Sequence, residues 1–182
     1  MDYPLARFHR SEELLVRWIE MEAFAGVMFR THLGSMISDE DAQVWSNDGI
    51  IGQFAKFSKV FVMLKEYRGA MMREAEEFGW PVVRSLFMMC PDDDGAWEES
   101  VLTNQWFFGS SFLVAPVMTE NANSVSVYFP TGDSALWISL WTGDKYGPGS
   151  TATVASEIGF PPVFYREGGE WGERLREDIG GL

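Results

Sequence analysis

Residues 25–32 read Ala25-Gly26-Val27-Met28-Phe29-Arg30-Thr31-His32, a short apolar run that ends at a cation and an imidazole. An amphipathic helix is predicted directly before this run, over residues 11–25. In parallel α/β proteins, ligands bind at the carboxyl ends of strands. We therefore predict a buried strand over residues 27–31 whose end, at Arg30 and His32, forms one edge of an active site.

A second helix and strand are predicted further along the chain. An apolar stripe at helical spacing predicts a helix over residues 49–78, which Gly79 and Pro81 end. At Gly69 we expect either a kink or split of this helix or the close approach of another backbone segment. The apolar run 82–89 is predicted to be a second buried strand. The order helix, strand, helix, strand is typical of a parallel α/β sheet.

The pattern changes after about residue 110 and becomes that of an antiparallel β-sandwich. Short strand-like segments are separated by Gly, Pro, Asn and Asp, and a short helix is predicted at 171–178. The predicted strands are 112–117, 125–129, 135–141, 151–155 and 163–165. We therefore predict a fold of class α/β plus β, with one domain over residues 1–112 and a second over residues 113–182.

The composition argues against several classes of protein. The 182 residues carry a formal net charge of -13, which disfavours binding to nucleic acid and to anionic membrane surfaces, because both require clustered cations. Cys90 is the single cysteine, so no internal disulfide can form. The sequence shows neither a signal-peptide pattern nor an apolar run long enough to cross a membrane. We therefore expect a cytoplasmic location.

The predicted helix–strand pairs also bear on the size of the whole protein. Parallel sheets are covered on both faces and contain more than two strands. We therefore predict that the chain is the last part of a larger enzyme, whose missing N-terminal part is its partner. A stand-alone carbohydrate-binding or structural module and an inactive truncated product are the alternatives.

Several dispersed motifs occur in a characteristic order along the chain. They are residues 13–18, 27–32, 79–87, 105–117, 128–130, 141–143 and 162–166. Together they resemble the C-terminal portion of glycoside hydrolase family 31, the family of α-glucosidases and α-xylosidases. The first two look like the seventh helix–strand unit of its catalytic barrel, and the third looks like the start of the eighth, with Ser85 where Pro is usual. The fourth resembles the run that leaves the barrel, and the rest resemble the β-sandwich that follows.

The resemblance implies a retaining α-glycosidase on a (β/α)8 TIM barrel, with a small-molecule glycoside as substrate and without a cofactor or a metal. Retaining glycosidases use two carboxylates. In this family both are aspartates on earlier barrel strands, so no catalytic residue is expected in this chain. Residues 92–94 are three aspartates after a predicted strand, and we interpret them as a solvated acidic loop. The nearest branch looks like the sulfoquinovosidases, although Leu33 stands where a Glu usually follows the His.

Two residues are the candidate substrate-binding groups. By resemblance, His32 donates a hydrogen bond to sugar hydroxyls in the subsite that holds the cleaved residue. Arg30 either contacts the ligand or orients a catalytic carboxylate through a charge-assisted hydrogen bond. The structural alternative for His32 is a buried imidazole paired with backbone groups. Trp45 either stacks on a sugar ring or packs against the protein.

Overall fold

The computed structural model describes residues 10–26, 29, 41–132 and 135–181. The predicted strand over 27–31 therefore lies outside the described residues, apart from Phe29. All statements below concern the described part of the chain.

Three helices form the N-terminal part of the structure. They are α1 (Glu12–Glu22), α2 (Asp48–Met63) and α3 (Lys65–Phe78). The Ser11 hydroxyl caps α1 by accepting a hydrogen bond from the Leu14 amide at 3.2 Å. The first predicted helix is therefore confirmed, and it begins within one residue of the predicted start.

The predicted single helix over 49–78 is wrong in one respect, because the chain forms two helices that meet at Leu64. The carbonyl of Phe61 accepts a hydrogen bond from the Arg68 guanidinium at 2.6 Å, and a side chain that pairs with a helical carbonyl is a recognised cause of helix breaks. Gly69 lies inside α3 and does not interrupt it. Gly79 ends α3 in the left-handed conformation, with φ of 75°, as predicted.

The predicted strand over 82–89 is also wrong for most of its length. Only β1 (Val83–Arg84) forms a strand there, and α4 (Leu86–Met89) follows it. β1 pairs antiparallel with β2 (Trp106–Phe108). A short apolar run is compatible with both a buried strand and a buried helical turn, so its periodicity could not separate the two.

The remaining strands confirm the antiparallel pattern predicted for the second half. They are β3 (Phe112–Val114), β4 (Ser124–Phe129), β5 (Trp137–Ser139), β6 (Lys145–Tyr146), β7 (Ser150–Ala155) and β8 (Val163–Arg166). The remaining helices are a 3-10 helix (Asp94–Trp97), α5 (Glu99–Asn104) and α6 (Glu170–Ile179). One sheet has the order β1-β2-β3-β8-β5-β6, and a second sheet pairs β4 with β7.

Every strand pair within the described residues is antiparallel, so the parallel alternation expected for the first half is not found there. The structure is a mostly antiparallel, β-rich fold with helices. The six-stranded sheet combines strands from before and after residue 112. The division of the chain at that residue stays a prediction.

The large sheet is the middle layer between two apolar cores. Successive residues of a strand point to opposite faces. Phe108 and Phe112 accordingly join the core that includes residues of α1, α2 and α3. Phe107 and Leu113 join the core on the other face, together with Phe129 of the smaller sheet. Helices α1, α2 and α3 therefore cover one face of the sheet, and β4 and β7, together with residues of α4 and α5, cover the other.

Candidate functional site

The two predicted substrate-binding residues, Arg30 and His32, lie outside the described residues. The structure does describe the chain that leads to them, which comprises the end of α1, residues 23–26 and Phe29. It also describes the side chains that hold this segment. Trp45 lies beyond the gap and is 67% exposed. No contact in the described residues distinguishes its two predicted roles.

The segment before the gap is held by a buried cation, Arg68 of α3. Its Nε donates to the carbonyl of Gly26 at 2.8 Å, and its Nη2 donates to the carbonyl of Ala23 at 2.5 Å. Its Nη1 donates to the carbonyl of Phe61. Arg68 is 5% exposed. One side chain thus pairs with the C-terminal end of α1, with the segment that follows it and with the break between α2 and α3.

An aromatic cluster holds the same segment from a second direction. The ring of Phe29 packs on Phe54 and Phe61, with centroid distances of 5.4 and 5.3 Å. The guanidinium of Arg68 lies 3.6 Å from the centroid of Phe61, in cation–π contact. Phe61 therefore contacts both the cation and the aromatic residue that immediately precedes Arg30.

The electrostatics of Arg68 suit a positioning role. Burial lowers the pKa of its guanidinium to about 10, so the group stays charged at neutral pH and donates to all three carbonyls. Its partners are these backbone carbonyls and the rings of Phe61 and Phe108.

Sequence reasoning missed Arg68, although a signal was present. It occupies the apolar stripe of the predicted helix, three residues before Met71 and four after Leu64. A charged residue on the buried face of a helix requires a partner, which makes it a candidate for a specific contact.

A second buried network links α1 to the β-rich part. Arg17 donates to Glu20 at 3.0 Å and to the carbonyls of Ala122 and Ser156 at 3.2 and 2.8 Å. Glu20 accepts a hydrogen bond from the Gly159 amide. Burial raises the pKa of the Glu20 carboxyl, although the Gly159 hydrogen bond and the Arg17 charge oppose the shift.

Lys56 of α2 extends this network. Its ammonium donates to the carbonyl of Gly159 and lies 4.0 Å from the ring centroid of Phe160 and 4.8 Å from that of Trp141. Burial lowers the pKa of Lys56, and the nearby Glu20 opposes the shift. The segment around Gly159 is therefore bound by both α1 and α2.

The acidic loop differs from the predicted solvated loop at one position. Asp92 and Asp94 are exposed, but Asp93 is buried. Its carboxylate accepts hydrogen bonds from the Tyr128 hydroxyl at 2.5 Å, the Thr131 amide at 2.7 Å and the Gly95 amide at 3.1 Å. Burial raises the pKa of Asp93, but these hydrogen bonds outweigh it and hold the pKa below its ordinary value. Asp93 thus joins the 3-10 helix to β4 and the segment after it.

Replacing Asp93 by Asn is expected to lower the free energy of unfolding by about 1–2 kcal/mol at pH 7. Because the folded-state pKa is depressed, the carboxylate stabilises the fold above the unfolded value of 3.8. That contribution is lost as the pH falls through the folded-state pKa. Urea unfolding between pH 7 and pH 2.5 should therefore show the difference from wild type shrinking in acid. The exposed Asp92→Asn is the matched control, and an equal, pH-dependent loss there would contradict this prediction.

The described residues contain neither a metal-binding cluster nor a membrane-spanning helix. No group of three or more His, Cys, Asp and Glu side chains among them is placed to hold a metal ion. No helix among them is both long and apolar enough to cross a membrane. The Cys90 thiol is half-buried and donates to the carbonyl of Thr131 at 3.3 Å.

This chain resembles known proteins in both sequence and fold. Residues 79–169 match the sequence model of the glycosyl hydrolase family 31 C-terminal domain. A sulfoquinovosidase of Escherichia coli strain K12 is 37% identical over 170 residues, which cover 92% of this chain and 23% of that protein. An isomaltosyltransferase of Sporosarcina globispora is 33% identical, over 91% of this chain and 15% of its own length.

A solved structure extends the likeness to three dimensions. A family 31 sulfoquinovosidase from E. rectale, in complex with an aza-sugar inhibitor, superposes with a TM-score of 0.85 at 32% identity. The match covers 96% of this chain and 25% of that one. The chain therefore spans about a quarter of the length of the sulfoquinovosidases that it matches. The motifs, the fold and the matched domain agree, and the chain belongs to glycosyl hydrolase family 31.

Proposed function

We propose that this chain is part of a retaining α-glycosidase that hydrolyses O-glycosyl bonds, and that its substrate is an α-sulfoquinovoside. The observation that carries the proposal is the likeness to sulfoquinovosidases over nine-tenths of the chain in both sequence and fold. The chemistry would be performed by two carboxylates outside these 182 residues. No cofactor enters the proposal.

In the complete enzyme, residues 1–112 would contribute to the last part of a (β/α)8 barrel, and residues 113–182 would form the β-sandwich after it. The partner of this chain would be the N-terminal part of the same polypeptide. Three further predictions belong to the proposal: a small-molecule glycoside as ligand, a cytoplasmic location and no membrane association.

The proposed contribution of this chain to catalysis is positioning. Arg68 fixes the carbonyls of Ala23 and Gly26, and the aromatic cluster fixes Phe29. These contacts determine where the chain enters the segment with Arg30 and His32. His32 would donate a hydrogen bond to a sugar hydroxyl, and Arg30 would contact the ligand or a catalytic carboxylate. Holding a substrate in a reactive geometry lowers the barrier without any covalent step.

Replacing His32 by Ala in the complete enzyme is expected to reduce kcat/KM at least about tenfold, which corresponds to about 1.4 kcal/mol. The reason is the loss of a hydrogen bond to the sugar. The measurement is hydrolysis of p-nitrophenyl α-sulfoquinovoside by purified variants with matched melting temperatures. His9 is the other histidine of the chain, and His9→Ala is the control. Unchanged kinetics of the His32 variant would instead indicate a structural role for this residue, as a buried imidazole paired with backbone groups.

The substrate class is tested separately with the wild-type complete enzyme. We expect p-nitrophenyl α-sulfoquinovoside to be hydrolysed with a much higher kcat/KM than p-nitrophenyl α-glucoside. A preference for the glucoside would contradict the proposed substrate and would indicate another branch of family 31. Turnover of neither substrate would contradict the proposed activity.

A further inference from the structure

A cleft of about 500 Å³ lies beside the smaller sheet. Its floor is one face of the β4–β7 pair. Ser126 and Tyr128 of β4 point to the same face, and Thr151 is the register partner of Tyr128. The intervening residues Val127 and Phe129 are buried in the core on the opposite face. The floor is therefore formed by paired strands that are anchored in the core beneath them.

Several polar side chains of the cleft have no partner within the described part of the protein. Five Ser and Thr side chains line the cleft, and none of their hydroxyls hydrogen-bonds to another described residue. They belong to Ser100, Thr119, Ser124, Ser126 and Thr151. By contrast, the amide of Gln105 is fixed, because it both donates to and accepts from the backbone of Tyr128 at 2.8 Å. The cleft thus offers uncommitted hydroxyls on a rigid frame.

Part of the lining of the cleft is apolar. It is formed by residues 115–118, including Met118, which is 63% exposed. The ring of Tyr128 adds an aromatic surface, and its hydroxyl already donates to Asp93. A cleft that combines hydroxyls with apolar surface complements a sugar, which carries hydroxyls at its edge and C–H groups on its faces.

The charge of the cleft disfavours anionic sugars. Glu98 lines it, and no Lys or Arg does so among the described residues. An anionic sugar would meet a carboxylate without any compensating cation. The volume lies within the range of about 300–1,000 Å³ that is typical of small-molecule sites.

We propose that this cleft is a second saccharide site, which binds one neutral α-linked disaccharide and rejects sulfonated sugars. The carbohydrate class of the ligand rests on the proposed glycosidase function, but binding here requires no hydrolysis. All of its lining residues lie between Gly95 and Thr151 in the sequence.

The test is a titration of the full chain with isomaltose, followed by NMR of the methionine methyl groups. We expect the Met118 methyl resonance to shift saturably with isomaltose and not with sulfoquinovose. Thr151→Val removes one lining hydroxyl and should weaken binding about fivefold. Thr142→Val is the control, because Thr142 is exposed in the turn after β5 and does not line the cleft. It should leave the affinity unchanged.

Three results would overturn the proposal: no saturable shift of Met118, equal weakening by both Thr variants, or binding of sulfoquinovose as tight as that of isomaltose. Ser126→Phe is a second check, since its ring should fill the cleft and abolish the shift while the other methyl resonances stay in place. A failure of the His32 kinetics would leave these results unaffected, so the two proposals are separable.

Discussion

Replacing Arg17 by Met is expected to lower the free energy of unfolding by about 3–5 kcal/mol. Arg17 is 9% exposed and Glu20 is 2% exposed, so the variant leaves a carboxylate buried without its closest cation. The carbonyls of Ala122 and Ser156 also lose their guanidinium donor. Methionine has a similar length and keeps most of the apolar packing. The loss should therefore come from unpaired polar groups rather than from a cavity.

The measurement is urea unfolding of the full chain, with Arg174→Met as the control. Arg174 also forms an ion pair, with Glu66 at 2.7 Å, but both side chains are more than half exposed. Exposed pairs contribute about 0–1 kcal/mol, so this variant should be close to wild type. Equal losses of unfolding free energy in the two variants would contradict the prediction that burial of the Arg17–Glu20 pair causes the effect.

Two further observations would identify the cause of the Arg17 effect. Arg17→Met combined with Glu20→Gln removes both charges and keeps an acceptor for the Gly159 amide, so the double variant should lose less than the sum of the single variants. The raised folded-state pKa of Glu20 also means that its burial costs least when it is protonated. The Arg17→Met deficit should therefore be smaller at pH 4.5 than at pH 8.

The second large effect is expected for Arg68→Met, which should cost about 3 kcal/mol of unfolding free energy. The variant leaves the carbonyls of Ala23, Gly26 and Phe61 without the side-chain donor that now joins them. It also removes the cation–π contact with the ring of Phe61. The variant also removes the free-energy cost of burying the Arg68 charge, which offsets part of this loss.

Arg73→Met is the control for Arg68, because it makes the same replacement at an exposed position of the same helix. Its unfolding free energy should stay within about 0.5 kcal/mol of wild type. In the complete enzyme, Arg68→Met should also reduce kcat/KM, since the segment before Arg30 and His32 loses its anchor. Full activity together with reduced stability would limit Arg68 to a structural role.

Local patterns were sufficient where short-range physics decides the conformation. Ser11 caps α1 because its hydroxyl reaches an amide three residues away, and Gly79 ends α3 because it adopts a positive φ. The strands after residue 110 were predictable because their alternation and turn residues are local features. The ordered motifs of family 31 could also be recognised in the sequence, and the matched domain over residues 79–169 confirms the family.

Contacts between residues far apart in the chain decided the features that sequence reasoning missed. The break at Leu64 coincides with the hydrogen bond from Arg68, and the short extent of β1 reflects its pairing with β2. Arg17 meets Ser156 across 139 positions, which no local pattern encodes. The conformation of a buried charged residue or of an ambiguous apolar run depends on partners that are distant in the sequence and come close only in the folded protein. The sequence therefore determined the family and most of the local elements, and tertiary packing determined which carbonyls, carboxylates and strands satisfy one another.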